Sequence, residues 1–302
     1  MSKKHWALIT KLIYALAVIS AEVALSIFFY PDISDAWNRY VSSKLISEYT
    51  TNTVEEKDYS SQINAAREYN RLLYEGGKGQ TGNVLEGQDD ITDTAKEAYE
   101  TQVSVMHNGM MGYIEIPAIG IKQPIYHYAT EEILGKGIGH LYGTSLPVGG
   151  TNSHAVLTGH SGMVQAKLFT SLEELKTGDR FSIHTLGMTL NYEVDQILTV
   201  LPTETEEITI HEGRDEVTLV TCTPYGVNTH RLLVRGHRIA DDAQTIHEET
   251  PVRTVQEVVK FPVTIFALYG AMILAGIIAL VLIFRGGRKT RTNYPDEESK
   301  EL

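Results

Sequence analysis

The stretch Pro262–Phe284, PVTIFALYGAMILAGIIALVLIF, carries no charged residue over 23 positions. A helix needs roughly 20 apolar residues to cross the hydrocarbon core of a bilayer. Arg285, Arg288, Lys289 and Arg291 follow at once, and cationic flanks stay on the cytoplasmic side. The run reads as a transmembrane helix over 262–284 with a cytoplasmic tail over 285–302; the competing reading is a buried core helix. A second apolar run, Leu12–Phe29, follows Lys3, Lys4 and Lys11 and is interrupted only by Glu22. A charge near mid-span costs about 2.5–3.5 kcal/mol on insertion scales. Two readings of this run stay open. It is a cleaved signal peptide with its apolar core at Leu12–Ile19 and small residues at Ser20 and Ala21, or a retained anchor whose Glu22 faces a partner or snorkels. Either way the residues between the two runs are exported.

The net charge of −12 argues against a nucleic-acid binder, which needs a basic surface to neutralise phosphates. Both ends are basic beside their apolar runs and the acidic excess lies between them, a layout that reads as membrane topology. After the first segment (residues 1–30), a helical region is expected over 31–107. Asp32–Tyr49 has Asp32 or Ser34 as an N-cap and Trp37, Val41, Leu45 and Ile46 near helical spacing; Ser60–Tyr74 repeats the pattern with Ile63, Ala66, Tyr69 and Leu73. Glu75–Thr94 holds five glycines and few apolar residues, which reads as a functional cover or a flexible linker.

From Gly112 the character changes. GYIEIP, IGIKQPIY, HAVLTG, DRFSIHTL, MTLNYEVDQILTVLP, EVTLVTCTP and HRLLVRGHRI are short runs rich in Val, Ile, Leu, Thr and Tyr, punctuated by Gly, Pro and Asn. Seven or eight strands with one short helical stretch, Lys167–Leu175, predict an all-β sandwich or barrel over 108–240, joined by a linker (241–261) to the C-terminal span. With a single cysteine there is no zinc-type Cys/His cluster, and there is no phosphate-binding glycine loop, so no metal or cofactor is expected.

That cysteine, Cys222, lies in TLVTCTPYG at the end of an alternating strand. It is either an inert small hydrophobe or a nucleophile held at a rigid, reachable strand end. A nucleophilic thiol needs a base or a positive neighbour. Of eleven histidines, His160 in VLTGHSG stands out, because flanking glycines permit close backbone approach and leave the imidazole unshielded. His127, His140 and His154 read as structural. Arg231 lies nine residues beyond Cys222, so a tight turn between antiparallel strands returns it beside the thiol. A permanently charged guanidinium there can hold a carbonyl or an oxyanion. Arg235 shares its strand face but lies farther from the turn. A membrane-tethered adhesion or receptor domain with an inert Cys222 is the non-enzymatic alternative.

TLVTCTPYGVNTHRLLVRGHR resembles the TLxTC…R signature of sortases, the cysteine transpeptidases of Gram-positive cell surfaces, and most resembles class C, the pilin-polymerising branch. MGYIEIPAIGIKQPIYH, GIGHLYGTSLPVGG, SHAVLTGHSG and AKLFTSLEELKTGD extend the resemblance over Asn108–Ile239. It implies a closed eight-stranded β-barrel, His160 as general acid/base, Cys222 as nucleophile and Arg231 as holder of the substrate carbonyl or oxyanion. It further implies pilin or surface proteins with C-terminal LPxTG-like sorting signals as partners. The signal would be cut between Thr and Gly and passed to a pilin lysine; anchoring to a peptidoglycan precursor is the alternative. Class C members usually cover the site with a lid bearing an Asp-Pro-aromatic anchor. The corresponding segment here, Glu75–Thr94, has no Asp-Pro pair and no aromatic; Asp89, Asp90 and Ile91 are its nearest acidic–apolar group. Weak autoinhibition by this loop is the expectation.

Overall fold

The computed structural model describes residues 3–54, 58–76, 98–106, 108–163, 168–240 and 262–285. Residues 1–33 with 262–302 form one compact unit and residues 34–261 the other. The lid-like loop with Asp89, Asp90 and Ile91, the linker and the basic tail lie outside the described residues, apart from Glu75, Gly76 and Arg285.

In the larger unit eight strands close a barrel: β1 (Met110–Ile116), β2 (Ile121–His127), β3 (Ile138–His140), β4 (Ser153–Thr158), β5 (Arg180–Thr185), β6 (Met188–Val200), β7 (Asp215–Thr223) and β8 (His230–Arg238). Their order round the barrel is β1-β2-β3-β4-β7-β8-β6-β5, and β5 pairs back onto β1. Only β2/β3 and β4/β7 run parallel. Period-two alternation builds the core. Ile114, Ile116, Ile183, Phe181, Val217 and Leu219 point inward into one cluster, while Val220 joins Leu141, Val156, Ile208 and Leu233 in a second cluster on the outer face.

β3 was not among the seven expected runs. Three residues show no readable alternation, and Gly139 at its centre looks like a breaker. The glycine is there for space, since a Cβ at 139 would stand 2.8 Å from Ala129 Cα. The stretch Lys167–Leu175 is not the expected helix: among its described residues there is only a 3-10 turn at Leu172–Glu174.

Helix α1 (Lys3–Val54) runs unbroken through Pro31, so Asp32 and Ser34 lie inside it instead of capping a new helix at 32–49. A proline removes one backbone donor and commonly ends a helix. Here the turns on both sides of it remain helical. Asp35 instead pairs with Arg39 one turn on, at 3.3 Å. The end of α1 is fastened to the barrel by Tyr49, whose hydroxyl donates to the Met111 carbonyl and accepts from the Leu186 amide, both at 3.0 Å. Helix α2 (Ser60–Glu75) docks through buried Asn70, which exchanges two hydrogen bonds with the Leu146 backbone at 3.0 and 2.7 Å. A short helix α3 (Glu131–Leu134) precedes β3 and is N-capped by the Thr130 hydroxyl. The smaller unit contains the first part of α1 and helix α4 (Val263–Arg285); both helices are long and apolar enough to cross a membrane.

Candidate active site

Cys222 is the penultimate residue of β7. Inward-facing Val217 and Leu219 fix the parity of the strand, so Thr218, Val220 and Cys222 share the outer face. Half-exposure of the thiol follows from the strand ending there. On one side, β8 pairs antiparallel with β7 and sets Arg231 directly opposite Cys222, with Val220 opposite Leu233 and Thr218 opposite Arg235. The turn between them is closed by the Val227 and Asn228 amides, both donating to the Pro224 carbonyl at 3.0 Å. On the other side, β4 runs parallel to β7, with Val156 beside Thr218 and Thr158 beside Val220. The Gly159 amide donates to the Val220 carbonyl at 3.0 Å. Cys222 on β7 and Arg231 on β8 are thus paired, and His160 lies two residues past Thr158, in the turn that follows β4 alongside β7.

The turn carrying His160 is braced from two directions. Across to β7, the Thr221 hydroxyl donates to the Gly159 carbonyl at 2.7 Å, and the Ser161 hydroxyl donates to the Cys222 carbonyl at 2.6 Å. Toward the segment before the 3-10 turn, the Phe169 amide donates to the His160 carbonyl and the Gly162 amide to the Thr170 hydroxyl, both at 3.1 Å. The two glycines serve different ends. A Cβ at 159 would stand 2.7 Å from Ile138 Cδ1 and 2.9 Å from the Phe169 ring, while Gly162 takes φ +77°, where side chains are disfavoured. Sequence reasoning gave no role to Ser161 or Thr221, although each adjoins a singled-out residue. Nor did it name Glu131, whose exposed carboxylate reaches 3.4 Å from His160 Nε2.

The Arg231 guanidinium donates to the carbonyls of Asn228 and His230 at 3.3 and 3.2 Å, which keeps it at the turn. Arg235 is committed elsewhere: it forks onto Asp195 at 3.0 and 3.1 Å and lies 3.5 Å from Glu216. The other singled-out histidines are structural. His140 is buried between the Tyr99 hydroxyl (2.5 Å) and the Ser145 carbonyl (2.8 Å), and burial pushes its pKa down to about 4. Both ring nitrogens of His127 face carbonyls, of Gly109 and Gln102. His154 is held by the Thr209 carbonyl and the Thr218 hydroxyl, both at 2.7 Å, and burial lowers its pKa. His154, His211 and Glu216 approach metal-binding spacing. The donor set does not fit a cation, because both His154 nitrogens are already bonded and Arg214 and Arg235 flank the carboxylate.

Beside Cys222 lies a shallow recess of about 10 Å³, bordered by Ser161, Thr170, Thr221 and Tyr225. Among the described residues that is space for roughly one water. A roomier groove of about 400 Å³ lies between α1 and the β1–β2 turn, lined by Arg39, Lys122 and Leu168 among others. Among the described residues no thiol or imidazole lines it, so size alone does not locate the chemistry.

A sortase-domain family model matches residues 114–239. Sortase C1 of Streptococcus agalactiae is 43% identical, with a TM-score of 0.60 over 66% of this chain and 100% of that one. A sortase C of Clostridium perfringens, solved with the C-terminal cell wall sorting motif, is 41% identical with a TM-score of 0.55, over 66% of this chain and 100% of that one. Sortase A of Bacillus anthracis is 28% identical over 189 residues, 63% of this chain and 84% of the relative. The chain belongs to the sortase family of cysteine transpeptidases. Within that family the solved structures it matches place it in class C.

Proposed function

We propose that this protein cuts an LPxTG-like sorting signal between Thr and Gly and joins the new acyl end to a pilin lysine. The observation that carries the reading is that β7 and β8 set Arg231 opposite Cys222 while the turn bearing His160 follows β4 beside them, its Ser161 hydroxyl bonded to the Cys222 carbonyl. In the first half-reaction the Cys222 sulfur attacks the Thr carbonyl carbon, and Arg231 donates to the oxygen as it becomes negative. His160 gives a proton to the departing Gly nitrogen, the C–N bond breaks, and a thioacyl enzyme remains. In the second half an amine attacks the same carbonyl, His160 takes the amine's proton, and the C–S bond breaks to return the thiolate. The sorting motif bound to the Clostridium relative supports the substrate class for this chain.

The barrel is placed outside the cell, on the ground that Arg285, Arg288, Lys289 and Arg291 follow the second apolar run. Transfer to a peptidoglycan precursor shares the first half-reaction and differs only in the acceptor. The acceptor is therefore what to test. Deleting the gene from cells that display pili should abolish covalent pilin ladders, and restoring Cys222 but not Cys222→Ala should bring them back. Ladders that persist without the protein, while another surface protein loses its wall attachment, would favour the precursor as acceptor.

A further inference from the structure

We propose that the first apolar segment is a retained membrane span, and that Glu22 seats it against Gly276 of the second. This does not depend on the catalytic reading. Three contacts join α1 to α4. Lys11 Nζ donates to the Phe284 carbonyl at 3.4 Å, Glu22 lies against Gly276, and the Tyr269 hydroxyl donates to Ser26 Oγ at 3.2 Å. The numbers rise along one helix as they fall along the other, so the two helices pair antiparallel and their outer ends lie on the same side.

The central contact joins two singular residues. Glu22 is the one charged residue between Leu12 and Phe29, and Gly276 is the one buried residue of α4. A Cβ at 276 would stand 2.6 Å from Glu22 Cδ and 2.8 Å from Cγ, so the carboxyl side chain fills the space that any larger residue at 276 would take. Glu22 Oε2 is buried with no hydrogen-bond partner among the described residues. A carboxyl facing lipid is costly, and polar side chains in spans turn to a helix interface where small residues allow close approach. Glycine at 276 supplies that approach. A signal peptide removed after export would leave α4 without the segment that covers Gly276.

The test uses the full chain in native membranes, with Cys222→Ala so that only introduced cysteines react. Ser26→Cys with Tyr269→Cys is the contact pair, to be bridged by a short bifunctional maleimide because a cysteine at 269 does not reach as far as the tyrosine hydroxyl. Ile27→Cys with Leu268→Cys is the outward pair, both positions being about 70% exposed (70% and 72%). The reagent should close the contact pair within one chain and leave the outward pair open. Gly276→Leu should lower the contact-pair yield about tenfold, and Glu22→Gln, similar in shape and still polar, should preserve it. The mass of the protein from membranes should include the Leu12–Phe29 segment. The proposal is overturned by a mass lacking that segment, by equal closure of the two pairs, by closure only between chains, or by a yield indifferent to Gly276→Leu. Thermal unfolding of the barrel is followed alongside, so that a general loss of folding is separated from a loss of pairing.

Discussion

Arg231 meets Cys222 because β7 and β8 pair in one register, and a one-residue slip would turn one of the two side chains to the other face. Its value is the shape of its cation as much as its charge. Arg231→Lys keeps the charge but loses the planar fork, and kcat/KM for an LPxTG peptide should fall by about 10²-fold or more, in the range for a lost oxyanion donor. A drop of less than a few-fold would move the carbonyl-holding role elsewhere. Ser161 is expected to act through position. Ser161→Ala should cost roughly tenfold in kcat with little change in KM, as for one lost hydrogen bond, and Ser161→Thr should restore most of it. Cys222, His160 and Arg231 could be singled out in the sequence because each sits in a short run that reads locally. Ser161 was not, because its partner, the Cys222 carbonyl, is 61 residues away and is brought close only by the β4/β7 pairing.

Among the elements, the long alternating strands announced themselves and the short β3 did not. Gly139→Ala should destabilise the barrel by about 1–3 kcal/mol through overpacking, because the new methyl group meets backbone at Tyr128 and Ala129 instead of a side chain that can swing away. An unchanged denaturation midpoint would mean that β3 has slack. The helix start expected at Asp32 failed for a related reason: capping residues and a proline are local signals, and the continuity of α1 overrides them. The glycine-rich segment is the remaining element with a stated expectation. Deleting Gly76–Asp93 should leave the alkylation rate of Cys222 nearly unchanged, and a large rise would show that the loop guards the thiol despite lacking an Asp-Pro-aromatic anchor.

For the molecule as a whole, acid should expose the buried histidines. Burial holds His140 and His184 near pKa 4 in the folded chain, against 6.5 for an ordinary imidazole. Between those values the unfolded chain binds more protons than the folded one. Stability is therefore fully present above about pH 6.5 and is lost as pH falls toward 4, with His140 contributing up to about 3 kcal/mol. The melting temperature should drop across that window, and His140→Gln should flatten the drop; identical profiles would show that His140 does not titrate as described. A sandwich or barrel was readable from strand count and turn residues, whereas closure was expected only through the family resemblance, since the β5/β1 and β2/β3 pairings join runs with no common local signal. The central claim is that this closed frame presents Cys222 as an acyl carrier. It is tested most directly by mixing the protein with an LPxTG peptide, quenching in acid and weighing the fragments. The account predicts an adduct of the LPxT acyl group on the Cys222 fragment, released by hydroxylamine and missing from Cys222→Ala. Peptide cleavage without that adduct, or an adduct on any other residue, would contradict it.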